Sequence, residues 1–187
     1  MLESVKFSFK FDVRRLCLFS LLVALCGAVQ VLPRPPGLEF TSLLTFCVGV
    51  LLGGFFGALL GASVMFVNAF LSPYGVAGLS APFQIVGMCI IGVVGGFYKL
   101  DGSGKVRFYF EAAVAGAALT LLYYTITNLS FAVALSLPPS QMPLLDAIVF
   151  SQVSGIVFTG LYMVSNTILF GVGVIPLVMA CSRFLRR

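Results

Sequence analysis

Ten of the eleven lysines and arginines fall in three short clusters, Lys6 to Arg15, Lys99 to Arg107 and Arg183 to Arg187, with long apolar stretches between them. Basic residues flanking hydrophobic spans accumulate on the cytoplasmic side of a membrane. The pattern predicts an integral membrane protein whose three basic clusters share one side. Composition agrees, with 60% hydrophobic and 9% charged residues, which is more apolar surface than a soluble domain of this size can hide. The net charge of +5 therefore reads as a topology signal that also suits an anionic inner leaflet. It gives no reason to expect a nucleic-acid partner.

Breakers divide the apolar sequence into spans at approximately 15–32, 38–53, 55–71, 82–98, 108–136 and 157–181, within one integral-membrane domain covering residues 1–187. Pro33, Pro35 and Pro36 stop the first, and the turn around Ser72-Pro73-Tyr74-Gly75 separates the third from the fourth. The sequence from Leu38 to Leu71 is either one helix or two. One long helix gives five spans and separates the basic clusters. A turn at Gly53-Gly54 gives six, with all three clusters and both termini cytoplasmic, and the charge rule selects it. The consequence is short helices: 16 to 18 residues rise only about 24–27 Å against a hydrocarbon core of about 30 Å. The fold class expected is thus all-α, a polytopic bundle of six transmembrane helices. The segments 33–40, 71–81 and 137–143 face outside. Asp146, Ser151, Gln152 and Ser154 set the stretch from Leu144 to Gly155 apart, as a helix lying at the outer surface or dipping into the bundle.

Lys10, Arg14 and Arg15 before an apolar run resemble a signal peptide, but the rest of the chain is equally membranous, so this segment reads as an uncleaved first helix. Cys26 does not follow a lipoprotein pattern, because Leu25 precedes it. The five cysteines stand singly and read as small packed hydrophobes, with no spacing suited to zinc or to a disulfide framework. Histidine is absent, which removes the usual general base and the commonest metal ligand. Few acids lie near the outer surface or the span ends, so no catalytic cluster is evident and an enzyme is not expected.

Small residues recur at four-residue spacing: Ala24/Ala28, Gly53/Gly57/Gly61 with Gly54, Ala58 and Ala62 beside them, and Ala112/Gly116 with Ala113/Ala117. Such spacing lets helix backbones approach closely in lipid. The glycine repeat is expected to pack within the chain. Taken together, the chain resembles the substrate-binding S component of an energy-coupling factor (ECF) vitamin transporter. Glu39-Phe40-Thr41-Ser42-Leu43, followed by Gly49, Gly53-Gly54, Gly57-Ala58 and Gly61, is similar to the family's second and third helices. Tyr124-Thr-Ile-Thr127-Asn128 resembles a stretch near the outer end of the fifth, and Val164-Ser165-Asn166 with Phe170 resembles the sixth. The family carries an Ala-xxx-Ala motif in its first helix, and Ala24 and Ala28 match it. That resemblance implies that Ala24 and Ala28 dock a transmembrane T component, and that two ATPase subunits supply the ATP hydrolysis. It implies no cofactor in this chain. The N-terminal histidines of nickel and cobalt relatives are missing, so a metal substrate is not expected.

Residue chemistry points the same way. Secondary transporters place ionisable groups at mid-membrane, whereas Glu111 sits near the cytoplasmic start of its helix and Glu39 and Asp146 near the outer surface. With no phosphate-binding loop either, the chain is expected to bind a solute and leave energisation to partners. Polar and aromatic side chains should then converge in an outward-facing site. The candidates are Glu39 and Phe40 in the first loop, Asn68 and Tyr74 at the second outer turn, Gln84 at the start of the fourth helix, Tyr124 and Asn128 on the fifth, and Gln152, Tyr162 and Asn166 in the last region. Amides read donors and acceptors of a heteroaromatic ring, and Tyr or Phe stacks on it. A flavin, a thiamine-like compound or a queuosine precursor would suit such a site. Asn128 and Asn166 serve equally well as interhelical hydrogen-bond partners, Tyr74 and Tyr162 as interfacial anchors, and Arg34 as a solvated loop charge. A membrane scaffold or assembly subunit is the competing expectation.

Overall fold

A computed structural model of the chain describes residues 13–32, 37–72, 75–98 and 106–186. Regular structure among the described residues is entirely helical: α1 (Val13–Val31), α2 (Phe40–Leu52), α3 (Gly54–Leu71), α4 (Ala81–Phe97), α5 (Val106–Ser136) and α6 (Leu144–Arg186), with one 3-10 turn at Gly78–Ser80 before α4. Five of these segments are long and apolar enough to cross a membrane, and α2 is a shorter apolar helix. The chain is a transmembrane helical bundle.

The break between α2 and α3 falls at one residue. Gly53 adopts φ 103° and ψ 158°, a region essentially reserved for glycine, and its N–H closes α2 on the Gly49 carbonyl. At 13 residues α2 rises only about 20 Å. Packing explains how so short a helix is accommodated: every residue from Thr41 to Gly49 is buried, with α1, α3, α4 and α6 all against it. A helix that is apolar all round belongs inside, and one shielded from lipid need not match bilayer thickness.

Glycine sets how closely α2, α3 and α4 approach. A Cβ added at Gly57 would lie 2.6 Å from the Gly92 carbonyl oxygen, and one at Gly61 would lie 2.8 Å from the Met88 carbonyl oxygen. Cβ atoms at Gly49, Gly92 and Gly96 would likewise strike the backbones of α4 or α3. The glycine repeat thus packs within the chain, as its spacing suggests. Phe46 extends this core, its ring 5.4 Å from Tyr98 and 5.3 Å from Phe170.

α5 and α6 form the longest antiparallel pair. One segment differs from the sequence expectation. The stretch from Leu144 to Gly155 is neither a separate surface helix nor a re-entrant one; it is the first part of α6, which runs unbroken for 43 residues. Pro143 opens the helix, its carbonyl accepting from Ala147 N–H, and no proline follows until Pro176. The polar residues of this stretch are explained by position: Gln152 bonds back to α5, Ser151 bonds the carbonyl of Ile148 within its own helix, and Asp146 and Ser154 are exposed.

Contacts along the bundle fix which ends lie together. Leu18 and Leu22 of α1 share a buried cluster with Leu177, Cys181 and Leu185 of α6, and Tyr109 and Ala113 of α5 lie against Gly171. Arg14, Arg15, Arg107 and Arg183 therefore sit at one end of the bundle. At the other end Gly37 packs against Leu161, and α6 continues for 17 residues beyond that level, about 26 Å of helix.

Candidate functional site

Polar side chains of α5 and α6 meet in a single seam. Thr120, Tyr124 and Asn128 recur every four residues and so share one face of α5. Tyr162 and Asn166 do the same on α6. Paired across the interface, they form three levels. Nearest the arginine-bearing end, Asn166 Nδ2 donates to Thr120 Oγ1 at 2.9 Å, and the threonine hydroxyl donates to the Gly116 carbonyl at 2.7 Å. One turn on, the Tyr124 and Tyr162 rings lie 5.0 Å apart and inclined at 31°. Farthest out, Asn128 Nδ2 donates to Gln152 Oε1 at 3.2 Å, and Gln152 Nε2 donates to the Thr125 carbonyl at 3.0 Å.

The middle level gathers more than the seam. Glu39, which precedes α2 in an extended conformation, is only 7% exposed, and its carboxylate lies within electrostatic range of Tyr124. Beside it, Thr41 Oγ1 donates to Gln30 Oε1 at 2.6 Å, tying the end of α1 to the start of α2. Both partners are buried. Tyr123 stands edge-on to Tyr124 at 5.3 Å and rests on Gly87 of α4, its hydroxyl 3.8 Å from Met65 Sδ. Parts of α1, α2, α5 and α6 thus bring a carboxylate, two phenols and several amides together where the surroundings are apolar. Buried polar groups need partners, and one here has none among the described residues: Asn166 Oδ1 is fully buried and unbonded.

The candidates from the sequence divide into groups. Glu39, Tyr124, Tyr162 and Asn166 come together. Asn128 and Gln152 join them farther along the same seam, but bonded to each other across the helix pair, so their amides already serve the interhelical contact. Asn68 is buried on α3. Gln84, on α4, donates to Ser80 Oγ at 3.2 Å, while its Oε1 has no partner among the described residues. No described hydrogen bond or ring contact links Asn68 or Gln84 to the tyrosine pair. Phe40 turns outward at 37% exposure. Tyr74, like Arg34, lies outside the described residues. Ala24 and Ala28 are exposed on α1, opposite the buried series Leu18, Leu22, Cys26 and Gln30.

Gln30, Thr41, Thr120 and Tyr123 were absent from the sequence expectation. A signal existed for two of them. Gln30 is the single amide of α1 and continues the four-residue series of its buried face. Thr120 stands one turn before Tyr124. No family model, curated protein or solved structure matches the chain.

Proposed function

We propose that this chain is the substrate-binding S component of an ECF-type importer in the plasma membrane of a prokaryote. It captures a small vitamin-like heteroaromatic compound at the outer face and delivers it inward with a T component and two ATPases. On this reading the bundle has six spans, and the arginine-bearing end, with both termini, is cytoplasmic. The observation that carries the proposal is the grouping of Glu39, Tyr124, Tyr162 and Asn166 at the far end of the bundle, deep in apolar surroundings. A carboxylate only 7% exposed beside aromatic and amide groups is an expensive arrangement, of the kind kept where a solute is bound.

Exposure of Ala24 and Ala28 supports the second half of the reading. A small-residue face on α1, exposed among the described residues, suits close docking of another membrane helix. A scaffold role is favoured by one observation only: the Asn128–Gln152 and Asn166–Thr120 bonds already give those amides a structural task. Purification of the tagged chain from its native membrane separates the two. An S component brings with it an ATP-hydrolysing module, and loses that module on Ala24→Leu or Ala28→Leu. A chain recovered without ATPase activity under conditions that keep membrane complexes together contradicts the importer.

A further inference from the structure

We propose that α6 pairs with α6 of a second copy of this chain, the two helices crossing at Gly160 on the face turned away from α5. The proposal goes beyond the solute-binding reading and does not depend on it.

Length is the first observation. The apolar part of α6, Leu144–Arg183, runs for 40 residues, about 60 Å of helix. A hydrocarbon core about 30 Å thick takes up no more than about 39 Å of helix, even at a tilt of about 40°. About 20 Å of apolar helix thus extends beyond what a bilayer covers. The contacts of its first part with Thr125, Asn128 and Phe131 all draw on α5, and the opposite face is exposed.

The make-up of that face is the second. Phe150, Val153, Val157, Gly160 and Val164 follow one another at alternate spacings of three and four residues, the seam along which one helix packs against another. Ile156 flanks it. The five large side chains are 49–75% exposed. They leave on the order of 600 Å² open on each copy, so a pair would bury about 1,200 Å², enough for a specific interface. Charge gives a different partner little to read. No charged residue occurs from Ala147 to Ser182, and Asp146, at the tip, stays exposed. A face apolar throughout is complementary to a copy of itself.

Gly160 is the third. Of the described glycines within α-helices, Gly27 and Gly160 alone would place a Cβ with nothing within 4 Å. Gly27 lies beside Ala24 and Ala28 on α1. Glycine weakens a helix interior, and at Gly57 or Gly92 the close approach of a neighbouring backbone accounts for it. At Gly160 no described neighbour does. An opening in the middle of an exposed β-branched seam suits a helix from outside, coming closest at that point. On a two-fold axis that helix is α6 again.

Fluorescence energy transfer between full-length chains, tagged with donor or acceptor at the C-terminus and reconstituted in lipid vesicles, measures the pairing against lipid dilution. The parent is expected to saturate as a dimer, and Gly160→Leu to pair at least tenfold more weakly. Since a Cβ there meets nothing, the Gly160→Leu protein should fold with a Tm no lower than the parent's. Phe158→Leu, on another face of α6 and 59% exposed in the parent, should pair as the parent does. Val157→Cys, oxidised in native membranes, should give a cross-linked species of twice the chain mass, above the level produced by the parent's own cysteines. A monomeric parent overturns the proposal, and so does a dimer indifferent to Gly160→Leu. Cross-linking of Val157→Cys to a different protein also overturns it and gives the face to that partner. Should Gly160→Leu not fold, the Val157→Cys cross-link still decides between these outcomes.

Discussion

Alanine at Gly57 would add one methyl carbon where three backbones meet. That carbon would lie 2.6 Å from the Gly92 carbonyl oxygen and 2.8 Å from the Cα atoms of Gly49 and Gly92. Ordinary contact begins at 3.4 Å, so α3 and α4 must part by 0.8 Å (3.4 minus 2.6). None of the obstructing atoms belongs to a side chain that could swing away. Overpacking of this kind costs about 1–3 kcal/mol, and the rigid neighbours place Gly57→Ala at the upper end. Alanine's better helix propensity offsets about 1 kcal/mol, leaving about 2 kcal/mol of net destabilisation. At about 2–4 °C per kcal/mol for a chain of this size, thermal unfolding in detergent should show Tm lowered by about 4–8 °C. Gly27→Ala is the matched control. Gly27 is also helical, but a Cβ there meets nothing within 4 Å. It should keep the propensity gain and leave Tm unchanged or raise it by up to about 4 °C. A Gly57→Ala protein as stable as its parent would refute the close approach of α3 to α4.

Leucine at Ala24 or Ala28 should abolish ATP-driven uptake while leaving solute affinity unchanged, since both positions are exposed; loss of binding with the complex intact contradicts their assignment to docking. Asn166→Leu removes an interhelical bond, costing about 0.6 kcal/mol and at most about 1.7, and should also weaken solute binding at least tenfold through loss of Oδ1. Thr120→Val breaks the same bond but spares that atom, so its affinity should stay within about threefold of the parent; equal losses in the two variants would make Asn166 purely structural. A double-mutant cycle on Asn128→Ala and Gln152→Ala should give a coupling of about 0.6 kcal/mol, and no coupling would contradict the unbroken run of α6 past Gly155.

Much of the architecture was legible because it rests on strong local signals. Prolines and glycines ended α1 and α2 where they do, since no other residue sits comfortably at the backbone angles of Gly53. The arginine clusters indicated which helix ends share a face, and the glycine spacing foretold the tight packing of α3 on α4. The first third of α6 was not legible. Asp146, Ser151, Gln152 and Ser154 resemble a surface segment, and the partner that draws Gln152 inward is Asn128, 24 residues earlier in the chain. Site residues followed the same rule. Tyr124, Tyr162 and Asn166 stood out as polar or aromatic residues in apolar helices. Thr41 gains its importance only from meeting Gln30 across the first loop, a pairing that spacing along the chain does not encode. Phe40 was expected from its place beside Glu39, but adjacent residues of a helix start point in different directions, and its ring turned outward.

Native mass spectrometry of the purified protein, with extraction and identification of any co-purified small molecule, bears most directly on solute binding at the tyrosine pair. One stoichiometric heteroaromatic compound is expected, retained by the parent and lost on Tyr162→Leu. A protein that emerges empty and shows no thermal stabilisation by any member of a vitamin panel would contradict a binding site at Tyr124 and Tyr162.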